Sequence, residues 1–145
     1  MRVFTAKAQS DSKVWNKENL NAKTPFLGAR IMADIWDRKY QEFKARCVYC
    51  GKDLFIDMDA YMGATLDHLI PSKANGEDKE DNLVLACSVC NNLKHDFDPR
   101  QKGGVNPSRD ELIELARTEI FERRAKKTTE FFSDLKKYEI TQQGR

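Results

Sequence analysis

The strongest constraint on the fold of this chain is a pair of Cys-x-x-Cys motifs, Cys47/Cys50 and Cys87/Cys90, which hold all of its 4 cysteines. Two thiolates at this spacing can reach one ion, and two such pairs complete a tetrahedral four-sulfur site. Because four sulfurs leave no open coordination position, we predict a structural Zn²⁺ here. A thioredoxin-like redox role is disfavoured, because there are two pairs and no surrounding βαβ pattern.

The segment between the two pairs, residues 51–86, is longer than the linker of a common zinc ribbon, which has about 15–20 residues. We call the turn at each Cys-x-x-Cys pair a knuckle. A functional element is therefore expected between the first knuckle, Cys47 to Cys50, and the second, Cys87 to Cys90. It contains Asp67, His68 and Asn82, and Asn91 follows the last cysteine. Phosphodiester hydrolysis requires a base that activates water and a cation that stabilises charge on the phosphoryl oxygens.

Asp67 and Asn91 offer the carboxylate and amide oxygens that Mg²⁺ accepts while keeping several waters. We predict that they form a sparse Mg²⁺ or Mn²⁺ site beside His68. Asp67 and His68 are neighbours on a predicted strand, however, and neighbouring strand residues point to opposite faces. A twist, or the end of the strand before Pro71, is needed to bring both side chains to one site.

Three segments, DHLIP at 67–71, DNLVL at 81–85 and CSVCN at 87–91, closely resemble the HNH endonucleases of the ββα-metal fold. The first H of the motif matches His68 and the N matches Asn82. Asn91 stands in place of the last H, which is the HNN variant. The resemblance covers about residues 47–99 and implies a metal-dependent DNA endonuclease that leaves 5′-phosphate and 3′-hydroxyl ends.

The resemblance also implies a role for each residue of the motif. His68 would be the general base, Asn82 would orient it by hydrogen-bonding the loop backbone, and Asp67 and Asn91 would hold one divalent ion. His95 lies one helical turn after Asn91 and shares its face. It is interpreted as a third metal ligand, a phosphate contact or an exposed helix-end residue.

Two lysines are further candidates for the nucleic-acid interface. Lys94 is expected to face a phosphate, with a solvated lysine as the alternative, and Lys73 is a second expected phosphate contact.

The fold class that follows is α+β. We predict a single domain over 1–145, with a ββα-metal core at 47–99 held by the four-cysteine zinc site. Amphipathic helical arms at 1–46 and 100–145 flank this core. The predicted strands lie at 54–56 and 65–70 as a hairpin, and a short helix is expected over 88–95.

Each arm carries a signal for a helix start. Thr24-Pro25 predicts the start of a helix that runs to about Ala45. Its stripe of Met32, Trp36, Tyr40 and Phe43 is expected to pack. In the second arm, Ser108 and Glu111 form a capping box before a helix over about 109–124, followed by a continuation or a second helix.

Charge is distributed unevenly along the chain, although the net charge is only +2. The first arm carries ten Lys/Arg against five Asp/Glu, the core four against ten, and the stretch from 100 to 145 eleven against eight. A nucleic-acid binder needs positive surface to neutralise phosphates, so the arms are expected to supply it. The alternative is that these charges are only solvated helix faces.

Two hypotheses for the function follow. The first is a DNA endonuclease that acts alone, as a homodimer or within a larger nuclease complex. The second is a catalytically inactive, zinc-stabilised nucleic-acid-binding or adaptor module. RNA remains an alternative substrate, because no residue distinguishes it from DNA. With no apolar run near the roughly 20 residues that span a bilayer, we expect no membrane and a cytoplasmic, bacterial or phage-encoded protein.

Overall fold

The computed structural model describes residues 25–138, with the backbone alone for 25–29. The helices and strands in chain order are α1 (Pro25–Glu42), α2 (Met58–Met62), β1 (Ala64–His68), β2 (Leu83–Cys87), α3 (Ser88–Lys94) and α4 (Arg109–Lys137). Short 3₁₀ turns lie at Ser72–Ala74, Glu80–Asn82 and Pro99–Lys102. The predicted α+β class is confirmed. The expected cap Thr24 lies outside the described residues.

The only sheet in the described part of the chain is an antiparallel pair of β1 and β2. Its register places Ala64 opposite Cys87 and His68 opposite Leu83. All five residues of β2 are buried, so this strand runs through the core. The sheet therefore brings the end of β1, with Asp67 and His68, next to the strand that leads into the second knuckle.

The predicted hairpin between 54–56 and 65–70 is wrong in its first strand. Phe55 and Ile56 are 59% and 68% exposed, so only Leu54 of that apolar run is buried. Asp57 follows them and accepts a hydrogen bond of 2.6 Å from the amide of Ala60, which caps α2. Because Asp57 caps α2, the chain enters a helix directly after Ile56 and forms no strand there. The strand that pairs with β1 is β2 instead.

The core forms where the two knuckles, the β1–β2 sheet and α4 meet. Its buried members include Leu54, Leu69, Val84, Leu85 and the cysteines Cys47, Cys87 and Cys90. Trp36 and Tyr40 of α1 and Phe43 in the turn after it pack against the core, as predicted. Met32 does not, because it is 46% exposed. Gly51, at the end of the first knuckle, has φ +72°, which a glycine adopts without steric cost.

The helix α4 is one continuous helix of 29 residues. The predicted capping box is present: the amide of Glu111 donates to Ser108 Oγ, and the amide of Ser108 donates to Glu111 Oε2. The first half of α4 buries Leu112, Ile113, Ala116 and Ile120. From residue 125 to 138 every side chain is exposed. Of the two predicted alternatives, the continuation is the one observed.

Arg109 joins both arms to the core from the first turn of α4. Its guanidinium donates to Glu42 of α1 at 2.6 Å and to the carbonyls of Asp81 and Leu83 at 2.9 and 3.1 Å. A planar guanidinium with five donors suits such a junction, because it can serve several acceptors at once. The segment at the start of β2 is therefore held in place by helices on both sides.

No helix among residues 25–138 is both long enough and apolar enough to cross a bilayer.

Candidate active site

The four cysteines meet at one point. Their Sγ atoms all lie within 4.8 Å of one another, and Cys50 Sγ lies 3.9 Å from Cys87 Sγ. Four sulfurs about 2.3 Å from a tetrahedral zinc lie about 3.8 Å apart, so the cluster fits that ion. Cys47 and Cys50 come from the turn after α1, while Cys87 ends β2 and Cys90 lies in the first turn of α3. The cluster is consistent with the predicted structural zinc.

The thiols of this cluster influence one another's acidity. Hydrogen bonds from the neighbouring Cys47 and Cys90 thiols lower the pKa of Cys87. The same contact with Cys87, together with burial, raises the pKa of Cys47 to about 11. Because a metal binds thiolates, zinc uptake must release protons, and zinc affinity must fall as the pH falls.

Asp67, one residue before the end of β1, points into the protein. It is only 6% exposed. Tyr49, between the first two cysteines, donates its hydroxyl to Asp67 Oδ2 at 2.5 Å, and Lys94 of α3 donates to Oδ1 at 3.2 Å. Burial raises the pKa of Asp67, and the Lys94 charge opposes this rise. Burial and the Asp67 charge hold the pKa of Tyr49 well above its usual value, so its hydroxyl stays a donor.

Lys94 lies in the interior and not at the surface. Its side chain is 0% exposed, and its Nζ also donates to the backbone carbonyl of His68 at 2.7 Å. Burial lowers its pKa, while the Asp67 carboxylate favours the charged form. Lys94 was expected to face a phosphate, but its ammonium is directed at Asp67 and away from solvent. In this position it cannot reach a bound nucleic acid.

His68 is the last residue of β1, and its side chain is 32% exposed. Its Nε2 lies 3.0 Å from Oδ1 of Asp78, a loop residue whose side chain is 91% exposed. A carboxylate only accepts hydrogen bonds, so Nε2 is the donor to Asp78, and in the tautomer that makes this bond the lone pair lies on Nδ1. The end of the strand thus leaves one ring nitrogen of His68 free to accept a proton.

Among the described residues, the Asn82 side chain hydrogen-bonds only to backbone groups. Its Oδ1 accepts from the amide of Ile70 at 2.8 Å, and its Nδ2 donates to the carbonyls of Ile70 and Glu77, each at 2.9 Å. These bonds join both ends of the loop after His68. The backbone of the loop also approaches itself closely at Gly76, since a Cβ there would lie 1.8 Å from the carbonyl oxygen of Ile70.

Several predicted site residues line one open cleft. Its walls are Leu66, Asp67, His68, Pro71, Ser72, Lys73, Asn91, His95 and Asp96. At its rim, Asp96 accepts from Lys73 at 2.6 Å and lies 3.2 Å from Nδ1 of His95. The side chains of Lys73 and His95 are 77% and 70% exposed. The cleft therefore has a buried inner wall around Asp67 and a polar, solvated rim.

Comparison with known protein families identifies this arrangement. Residues 47–97 match the family model described as HNH endonuclease, a segment that contains both knuckles, β1, β2 and α3. Residues 47–97 form an HNH endonuclease domain. Proteins of the HNH family are typically DNA endonucleases, so a nucleic acid is the substrate that the family implies. No curated protein and no solved structure matches the chain significantly.

The HNH domain offers two kinds of metal donor in separate places. The soft, four-thiolate cluster suits zinc, and within residues 25–138 it is the only group of three or more His, Cys, Asp and Glu ligand atoms gathered this closely. The cleft offers the Asp67 carboxylate and the Asn91 amide, with the His95 imidazole at its rim. Such a sparse set of hard donors suits an ion that keeps most of its waters, as Mg²⁺ does.

Two contacts at the site were not predicted, those of Lys94 and Tyr49 with Asp67. Lys94 follows the fully buried Cys90 by four positions, so a helix directs both side chains to one face, and this spacing could have placed the lysine inside. Tyr49 carries no such signal, since its contact with Asp67 spans 18 positions along the chain. Only the fold brings Tyr49 and Asp67 together.

Proposed function

We propose that the HNH domain hydrolyses phosphodiester bonds of DNA, with His68 as the general base. The observation that carries this proposal is the shared cleft: Asp67 and His68 of β1 and Asn91 of α3 line one surface although they come from different elements. In this cleft a base, a carboxylate and an amide can act on one phosphate. The family to which residues 47–97 belong supports the same chemistry.

In the proposed reaction, His68 takes the proton of the attacking water on Nδ1, since Nε2 is held by Asp78. The water oxygen forms a bond to phosphorus, and the bond between phosphorus and the 3′ oxygen breaks. The leaving 3′ oxygen takes a proton from solvent. The products carry 5′-phosphate and 3′-hydroxyl ends.

Asp67 and Asn91 would hold the catalytic Mg²⁺ or Mn²⁺ through their side-chain oxygens. When bound, such an ion stabilises negative charge on the phosphoryl and leaving oxygens. Asn82 would act as a positioning residue, because its three backbone hydrogen bonds fix the loop that carries Asp78 and the chain that follows His68. Lys73 is the proposed phosphate contact at the rim, where it would exchange Asp96 for a phosphate.

One active site cuts one strand. A single HNH domain is therefore expected to nick, and a double-strand break would need a second copy or a second visit. We propose a cytoplasmic location for the enzyme, because a reducing compartment keeps the thiols of two Cys-x-x-Cys pairs available for zinc.

The test is cleavage of supercoiled plasmid with Mg²⁺ or Mn²⁺, wild type beside His68→Ala. Loss of a general base costs about 10²–10⁴-fold in rate. We expect the wild type to produce open-circle DNA and the variant to lose nearly all activity with its zinc content unchanged. An equal rate for both proteins would contradict the assignment of His68. Chelating the catalytic ion with dilute EDTA should stop cleavage without unfolding the protein.

One observation favours the second candidate, an inactive zinc-stabilised adaptor. The Asp67 carboxylate already has partners in Tyr49 and Lys94, so it has a structural role without any ion. The adaptor would bind zinc and DNA and cut no plasmid with either metal. An RNA strand of the same sequence, assayed in parallel, separates an RNA substrate from the absence of catalysis.

A further inference from the structure

The two partners of Asp67 come from the two zinc knuckles. Tyr49 lies between Cys47 and Cys50, and its side chain is buried, with the residue 2% exposed. Lys94 lies one helical turn after Cys90 on α3. The carboxylate is thus held from both sides by groups whose backbones are fixed by the cysteine cluster.

We propose that Tyr49 is a positioning residue that transmits the geometry of the zinc site to the ion-binding carboxylate of Asp67. The inference rests on the proposed function, because it assigns Asp67 to the catalytic ion. The zinc would then have two roles: it folds the domain, and it sets the orientation in which Asp67 meets the second ion.

The physical argument is the restriction of a short side chain. A carboxylate rotates about two bonds unless its oxygens are held. The Tyr49 hydroxyl holds Oδ2 at 2.5 Å and Lys94 holds Oδ1 at 3.2 Å. Both donors, the Tyr49 hydroxyl and the Lys94 ammonium, are buried, so water cannot replace them. Groups that orient a metal ligand in this way typically change metal affinity by about 10–100-fold when they are removed.

The path from the cysteines to Asp67 is short and rigid. The backbone of Tyr49 shares the knuckle with two ligands, and the amide of Val48 next to it donates to the carbonyl of Leu85 at 2.9 Å. A shift of the knuckle must therefore move the Tyr49 hydroxyl. Because the contact spans 18 positions along the chain, only an intact knuckle can place the hydroxyl there.

The first experiment compares Mn²⁺ binding by zinc-loaded wild type, Tyr49→Phe and Tyr61→Phe, measured by electron paramagnetic resonance without DNA. Tyr61 is the matched control, because it is 47% exposed and makes no contact with Asp67. We expect Tyr49→Phe to keep its zinc and to bind Mn²⁺ about tenfold more weakly or worse, while Tyr61→Phe binds as the wild type does. Equal or tighter binding by Tyr49→Phe would overturn the inference.

A second measurement does not depend on the folding of a variant. In wild type carrying one equivalent of Cd²⁺ in place of zinc, the metal–sulfur bonds are longer, and we expect them to displace the knuckle. We expect the Mn²⁺ affinity of the Cd²⁺ form to fall several-fold relative to the zinc form, and an unchanged affinity would refute the coupling.

The result is separable from that of the proposed nuclease. If Mn²⁺ affinity depends on Tyr49 and no plasmid is cut, the coupling stands and the nuclease proposal fails. If the plasmid is cut and Tyr49→Phe binds Mn²⁺ as the wild type does, only the coupling fails. Absence of any Mn²⁺ binding by the wild type overturns the inference as well.

Discussion

The inner wall and the rim of the cleft are built from the same residue types in opposite surroundings. On the inner wall, Asp67 pairs with Lys94 in the interior behind it, and both side chains are almost wholly removed from water. At the rim, Lys73 and Asp96 form a closer pair, at 2.6 Å, but the Lys73 side chain is 77% exposed. The shorter distance between two charged atoms therefore does not show on which pair the stability of the protein depends more. Burial determines what the protein loses when one partner is removed.

The cysteine cluster behind the inner wall should have the largest effect of any site. Cys47→Ser is expected to abolish zinc binding and cooperative unfolding, because zinc binding supplies about 10–16 kcal/mol in small zinc domains. Zinc content and a thermal melt followed by circular dichroism test this. Val89→Ser, at a position that is 53% exposed beside Cys90, is the control and should melt as the wild type does. An unchanged melt for Cys47→Ser would show that the cluster is not a structural zinc site.

Substitution of Lys94 and of Lys73 tests directly whether burial separates the inner wall from the rim. Lys94→Met keeps the volume and leaves Asp67 buried without a cation, which is expected to cost about 3–5 kcal/mol. Lys73→Met should change the free energy of unfolding by less than about 0.5 kcal/mol, since exposed pairs contribute little. Urea unfolding of both variants measures the difference. Equal effects would mean that burial does not separate the wall from the rim.

A companion variant sharpens the result for Lys94. Burial raises the pKa of Asp67 and lowers that of Lys94, so it disfavours both charged forms. The pair is therefore not a large net source of stability. Combining Lys94→Met with Asp67→Leu should recover much of the loss, as seen when buried ion pairs are replaced by apolar groups. No recovery would indicate that Lys94 stabilises mainly through the His68 carbonyl.

At the rim, one substitution is expected to stabilise the protein. His95 has φ 49° and ψ −130°, a conformation of type II′ turns that favours glycine. His95→Gly should therefore stabilise the protein by about 1 kcal/mol, whereas His95→Ala keeps the strain and should not. Thermal melts of the two variants decide this. If cleavage falls in both, the imidazole contributes to the reaction; a Gly variant less stable than the Ala variant would contradict the assignment of strain.

Local patterns predicted the parts of the molecule that local chemistry determines. The knuckles, the capping box of α4 and the helix after Cys87 follow from residues within one or two turns of each other. The predicted strand at 54–56 failed for the same reason: its apolar run looks like a strand until Asp57 caps α2. The inner wall was predictable only in part: the spacing of four residues from Cys90 directs Lys94 inward, but only the fold supplies Asp67 as its partner, 27 positions away.

The strand register has a consequence for how sequences of this kind can change length. Thr65 to His68 pair one-to-one with Leu83 to Ala86, and side chains alternate between two faces. A residue inserted within β1 would exchange the faces of Asp67 and His68, placing the histidine inside and the carboxylate outside. An insertion near Asp78, in the exposed middle of the connecting loop, leaves the pairing unchanged. Natural length variation in such domains should therefore accumulate in the loop and be absent from the five residues of β1.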